Sequence, residues 1–247
     1  MVGDADDLVF CINIGKCFMN TNFQKYRKDD IERKLQRANF RPMDIMVAGV
    51  TGAGKSTTLN SLFHKEVAKV GNGVAPETMR LGNYKLNDAF RIWDTPGLGD
   101  GIAEDRLHKK KITNLLCQRY PLDGQVYGFI DMVLVIIEGA NRDMGTTYTL
   151  LNEVIVPNIQ GERVLVAINQ ADVAMKGRHW NRETMTPDFE LMEFPEKQTY
   201  SIQRRVKEAT GVSIPKPVYY SAEYGYNVKA VLDFIIDNMP NKKRAFT

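Results

Sequence analysis

The chain has 247 residues, 43% hydrophobic and 26% charged, the proportions of an ordinary soluble domain with room for a sizeable core. Thirty-three basic residues against thirty acidic ones leave a net charge of +3, too even a balance to single out nucleic acid or a membrane surface as partner. Three scattered cysteines (Cys11, Cys17 and Cys117) match neither a zinc pattern nor a disulfide framework, and the apolar run "FIDMVLVII" at 129–137 is too short to span a bilayer.

Asp4, Asp6 and Asp7 give the N-terminus the wrong charge for a secretion signal, so a cytoplasmic location with no transmembrane segment is expected. Residues 1–40 precede the first core strand and are read as an N-terminal helical extension. Phe23, Arg27, Ile31, Leu35 and Ala38 fall on one face of a helix predicted from near Thr21. That stripe packs on the core or serves a partner.

Over 41–240, apolar runs of strand length alternate with helical patterns. The runs are "DIMVAGV" (44–50), "FRIWD" (90–94), "DMVLVII" (131–137), "RVLVAIN" (163–169) and "PVYYSA" (217–222). Helices are predicted at 55–64, 105–119, 145–156, 197–210 and 227–238. Strands that are apolar on both faces belong to a sheet covered on both sides. "MRLGNYKLND" (79–88) alternates and ends in Asn-Asp, which predicts a hairpin onto "FRIWD". The expected class is therefore α/β, three layers, a doubly wound and mostly parallel sheet with one antiparallel strand. The connection 173–196 is long for a loop, and its aromatic and methionine content predicts packing. The basic tail 241–247 is expected to fray.

The first strand runs into Gly49-Val50-Thr51-Gly52-Ala53-Gly54-Lys55-Ser56, a full GxxxxGK[ST] match between strand and helix. Glycines let backbone N–H groups curl around phosphate oxygens at a helix N-terminus. Gly49, Thr51, Gly52, Ala53, Gly54, Lys55, Ser56 and Thr57 are the candidate phosphate-binding residues. Lys55 can reach the β- and γ-phosphates and Ser56 can ligate Mg²⁺. Downstream, "VGNGVAPETMR" offers Thr78 as a loop threonine able to close on the metal, with plain solvation the alternative. Asp94 then opens Asp-Thr-Pro-Gly at a strand end, the place for a magnesium-side carboxylate, and the Gly97 amide could sense a γ-phosphate. Leu98 follows, where an attacking water would need a polar side chain.

The base is read from "NQAD". Asn169, Gln170 and Asp172 follow a buried strand, and a carboxylate fits the adjacent N1–H and N2–H₂ donors of guanine but finds no partner at adenine N1. Ser221 and Ala222 end the next strand, where a backbone amide could meet guanine O6.

GVTGAGKS, Thr78, DTPG, NQAD and SAE, in that order over 43–239, resemble the translation-factor-related P-loop GTPases of the Era and septin class. "GVTGAGKSTTLN", the DTPG proline and Leu98 are most similar to septin-like, chloroplast-translocon-receptor-like and immunity-related branches. "NQADVAMKGRHWN" with "GANRDMG" resembles the bacterial, prophage-associated YfjP-type family. The resemblance implies GTP and GDP with Mg²⁺ as cofactors and slow hydrolysis, with Lys55, Thr78 and Gly97 at the reaction centre. It also implies a missing element supplied by a nucleotide-dependent homodimer or another protein, with Arg142 of "GANRDMG" either the residue lent in trans or a solvated loop arginine capping local carbonyls. A ribosome or RNA partner follows by family analogy only. The alternatives are an interaction switch or a septin-like assembly protein in which hydrolysis is incidental. Gln170 stands where relatives have a lysine, so weaker nucleotide affinity is expected. Gly52 stands where potassium-dependent relatives carry an asparagine.

Overall fold

The computed structural model describes residues 26–40, 42–63, 83–85, 89–140 and 144–245. The strands are β1 (Met43–Gly49), β2 (Asn83–Lys85), β3 (Phe90–Asp94), β4 (Arg119–Leu122), β5 (Gln125–Gly128), β6 (Met132–Glu138), β7 (Val164–Asn169), β8 (Trp180–Asn181), β9 (Thr186–Pro187) and β10 (Val218–Tyr219). The helices are α1 (Lys28–Ala38), α2 (Lys55–Phe63), α3 (Ile102–Cys117), α4 (Gly145–Thr149), α5 (Phe189–Thr210) and α6 (Val228–Asp237). Among the described residues the main sheet runs β10-β7-β6-β1-β3-β2, parallel except for the β2–β3 pair.

The pleat explains why the strands are apolar throughout. On β1, Met43, Ile45 and Val47 face a core shared with α1, α2 and α6, built from residues such as Ile31, Leu62 and Val231. Met46 and Ala48 face the other side, where Ile112 of α3 and Val206 of α5 pack. The expected doubly wound, three-layer arrangement is what forms. Register sets the site: Val47 stands opposite Asp94, and Gly49 opposite Ile136, so the phosphate loop leaves the sheet beside the end of β3.

Several elements differ from the sequence expectation. Helix α5 begins at Phe189, inside the segment read as a loop, because the Asp188 carboxylate caps it by accepting from Leu191 N at 3.0 Å. Pro195 does not stop it: Leu191, Pro195, Thr199, Ile202 and Val206 form one buried stripe. The predicted helix 145–156 is α-helical only to Thr149 and continues as a π-helical turn over Leu150–Ile155. A hairpin, β4–β5, turns at Asp123-Gly124, both with positive φ, as the right-handed twist of a hairpin requires.

The tail does not fray where it is described. Arg244 is buried; its carbonyl accepts from Gly128 N at 2.8 Å and its guanidinium donates to the Leu116 and Asn158 carbonyls. At the other end, α1 begins at Lys28 and packs on α6. Tyr26 Oη donates to Asp233 at 2.8 Å and Arg27 pairs with Asp233 at 3.0 Å, so the stripe containing Ile31 and Ala38 lies on the core.

Opposite the phosphate loop, a buried polar cluster closes the sheet. Arg91 grips the Asp44 carboxylate at 2.5 and 2.8 Å, Trp93 Nε1 donates to it at 2.7 Å, and Asp44 N donates to Asp131 Oδ2 at 3.0 Å. Asp131 Oδ1 has no partner. Burial, with the Asp44 charge adding and the Asp44 N–H opposing, pushes the Asp131 carboxyl up to about 7.

An unfolded aspartate ionises near pH ~4. Between there and about 7 the folded chain holds the extra proton, so Asp131 costs nothing below that window and destabilises increasingly as pH rises through it. Asp131→Asn keeps an acceptor for Asp44 N and is expected to add roughly 2 kcal/mol at pH 8. Urea unfolding at pH 5 and pH 8 checks this; an identical pH slope in both proteins would refute it.

Candidate functional site

The motif residues converge at the C-terminal ends of β1, β3, β7 and β10, the crevice where open α/β sheets bind ligands. The phosphate loop occupies 49–56, and α2 starts at Lys55. Lys55 Nζ donates to the carbonyls of Val50 at 3.1 Å and Gly49 at 3.3 Å, which holds the ammonium under the loop. Burial lowers its pKa, while the charges of Asp94 and Asp100 oppose that shift. Ser56 is exposed on the first turn of α2, and Thr57 is half-buried behind it.

Asp94 ends β3 with Oδ1 buried and unpartnered, and burial raises its pKa against the Lys55 charge. The chain after it is pinned to the phosphate loop. Thr95 N and Oγ1 both donate to Val47 O, at 3.1 and 2.8 Å, and Thr51 N donates to Leu98 O at 2.7 Å. Gly97 lies so close that a Cβ there would meet Thr51 Oγ1 at 2.5 Å, and the His108 ring meets Gly97 O at 2.6 Å. The side chain of Leu98 is fully buried among Met46, Trp93 and Ile112. It is a core peg, which is why the position is hydrophobic.

At the base end, Asn169 is the keystone. Its Nδ2 donates to Ala53 O at 3.0 Å and its Oδ1 accepts from Ala222 N at 3.0 Å. One buried amide thus joins the phosphate loop to the loop after β10. Gly54 leaves room for it, since a Cβ would fall 2.3 Å from Asn169 Nδ2. Gln170 Nε2 donates to Gly52 O at 3.0 Å, so the neutral amide reaches across to the phosphate loop. Asp172 is buried and its Oδ1 has no partner. Ser221 is buried, its N–H bonded to Tyr226 O at 2.9 Å, and Ser61 Oγ holds Ala222 O at 2.7 Å. Trp180 packs against Tyr224 and Tyr226, with ring centroids 5.4 and 5.6 Å apart, and so anchors the long connection to the same loop.

Lys55, Asp94, Gly97, Asn169, Gln170, Asp172, Ser221 and Ala222 are therefore gathered at the C-terminal edge of the sheet. Thr78 and Arg142 lie outside the described residues. Sequence reasoning missed the His108–Gly97 contact, and a bond from Thr51 Oγ1 to Asp100 Oδ2 at 2.9 Å. A separate cavity of about 790 Å³ opens beside Ala140, Lys176, His179 and Phe194 and includes none of the motif side chains. Among the described residues no helix is long and apolar enough to cross a membrane.

A family model described as 50S ribosome-binding GTPase matches residues 44–170, just over half of the chain. T-cell-specific guanine nucleotide triphosphate-binding protein 2 of Mus musculus is 34% identical over 112 residues, 43% of this chain and 24% of its own length. Human septin-12 is 35% identical over 88 residues, 31% of this chain and 24% of its own. The chain thus spans about a quarter of the length of these curated relatives. Among solved structures, Toc33 from Arabidopsis thaliana in complex with GDP and Mg²⁺ superposes with a TM-score of 0.56 at 17% identity. That match covers 88% of this chain and 91% of the other, and the shared fold is the G domain.

Asn169→Ala strands a buried N–H and a buried carbonyl, and is expected to cost about 2–4 kcal/mol of stability. Chemical denaturation of the chain alone measures this, and a loss below about 0.5 kcal/mol would contradict the tie.

Proposed function

The chain belongs to the 50S ribosome-binding GTPase family, and on that premise we propose that it binds guanine nucleotide with magnesium and hydrolyses GTP slowly to GDP and phosphate. The observation that carries the base choice is the buried, unpartnered Oδ1 of Asp172 beside a loop fixed by Asn169. A desolvated carboxylate of this kind is costly until two adjacent donors meet it, and the N1–H and N2–H₂ of guanine are such donors. The Ala222 region then lies near O6, and Gln170 covers the base from the phosphate-loop side.

The second orphaned oxygen, Oδ1 of Asp94, supports a cation beside the phosphates. Among the described residues no cluster of three His, Cys, Asp or Glu is placed to hold a metal by itself. That suits magnesium, which takes most of its ligands from phosphate and water. Ser56, Asp94 and the loop residue Thr78 would hold it, and when bound it would neutralise phosphate charge. Lys55 and the loop N–H groups stabilise charge as a water attacks the γ-phosphorus in line and the β–γ bridging oxygen departs with GDP. The Gly97 N–H, aimed by the Thr51 and His108 contacts, serves the γ-phosphate.

Leu98 offers nothing to orient the water, since its side chain belongs to the core. The site is accordingly completed from outside, by a nucleotide-dependent homodimer or another protein, with Arg142 reaching the neighbouring nucleotide. A cytoplasmic setting and a place in the YfjP-type branch accompany this reading. The buried Leu98 also favours a second reading, a nucleotide-dependent interaction switch in which hydrolysis is incidental.

GTP turnover per chain, measured with Mg²⁺ over a wide range of protein concentration, separates the two. The rate per chain is expected to climb at least tenfold with concentration, and Arg142→Ala to abolish the climb, since a supplied arginine is worth about 10³–10⁵ in related chemistry. A flat, slow rate would remove the homodimer route and favour the switch.

A further inference from the structure

Asp100 follows the DTPG turn, and no motif assigns it a role. Its Oδ2 accepts from Thr51 Oγ1 at 2.9 Å, a contact made across forty-nine positions of sequence. Thr51 is the phosphate-loop residue against which Gly97 packs, so this carboxylate sits at the rim where the loop meets the γ-phosphate sensor. We infer that Asp100 sets the preference between GDP and GTP: its carboxylate and a terminal phosphate compete for the same rim, and GTP binds only by displacing Asp100 from Thr51. This inference rests on the guanine-nucleotide reading above.

Charge and local geometry support it. GDP brings no group to this rim, whereas GTP brings a dianionic one, and like charges 4–6 Å apart repel even in water. The segment is also built to let Asp100 leave. Gly99 and Gly101 flank it at φ +108 and +130, values that side chains rarely adopt, and nothing lies within 4 Å of a Cβ at Gly99. Upstream, the backbone is held by Thr51 N on Leu98 O at 2.7 Å and by the His108 ring on Gly97 O at 2.6 Å. Downstream, Gly101 caps α3. Gly99 N donates to Asp105 Oδ1 at 2.7 Å, so the swing of Asp100 carries with it the first turn of α3, where Ile102 is 87% exposed. Departure of Asp100 would be how the extra phosphate is felt outside the site.

The test is equilibrium titration of GDP and of a non-hydrolysable GTP analogue, with Mg²⁺, into the parent chain, Asp100→Asn and Asp100→Glu. Asparagine keeps an acceptor for Thr51 and removes only the charge. Asp100→Asn is expected to improve affinity for the analogue relative to GDP by about fivefold or more at low salt, the gain shrinking as salt rises. GDP affinity should stay within about twofold, and Asp100→Glu should keep the parent ratio within the same margin. An unchanged ratio in Asp100→Asn would overturn the inference. So would weaker binding of the analogue, which would make Asp100 a ligand on the phosphate side. If the parent chain fails to bind GDP, the guanine-nucleotide reading falls and this inference with it.

Discussion

One side-chain amide holds the site together. Asn169 uses a donor on the Ala53 carbonyl and an acceptor on the Ala222 N–H, both at 3.0 Å, and neither partner is near it in sequence. Because the amide is buried, each bond is worth more intact than its modest net energy suggests, since breaking either strands a desolvated group. The phosphate loop, the NQAD loop and the loop after β10 therefore move as one body. Gln170 on Gly52 O and Tyr220 Oη on Thr58 Oγ1, at 2.6 Å, add to the same tie.

On that rigid frame the chain keeps two carboxylate oxygens dry and unpaired, on Asp94 and Asp172. Burial of such groups is unfavourable on its own, and proteins retain it where a ligand will supply the missing partner. The two lie at the phosphate end and the base end of one crevice, which fits a ligand with a cation-bearing tail and a base that donates two hydrogen bonds. Around them the contacts are of a different kind. Thr51 with Asp100 and His108 with Gly97 are exposed or half-buried, and Asp100 itself lies between two glycines, the first tied to Asp105 of α3 at 2.7 Å. On the proposed reading, the fixed half would recognise the base and the half around Thr51 and Asp100 would meet the γ-phosphate.

Much of this was legible in the sequence because it is local. Strands apolar on both faces announce a covered sheet, and the phosphate loop, DTPG and NQAD each carry their chemistry in a few adjacent residues. What escaped was long-range or contrary to local rules. Arg244 looks like a basic tail until Leu116, 128 positions earlier, is seen to accept its hydrogen bond. Pro195 lies in the stretch read as a connection, yet the Asp188 cap and a buried stripe carry α5 through it. Asp123-Gly124 was an overlooked local signal, a turn dipeptide that places the β4–β5 hairpin. The hydrophobic Leu98 was visible in the sequence, but its burial, and hence the reason for a leucine, depends on Ile112 and Met46 arriving from elsewhere in the chain.

The most direct test of the account is a calorimetric titration of GDP and of ADP, each with Mg²⁺, into the intact chain. A preassembled guanine site predicts saturable binding of one GDP per chain, and ADP weaker by at least about tenfold, the penalty for leaving the Asp172 carboxylate unpaired. Equal affinity for the two nucleotides would contradict the base site, and no binding of either would contradict the account as a whole.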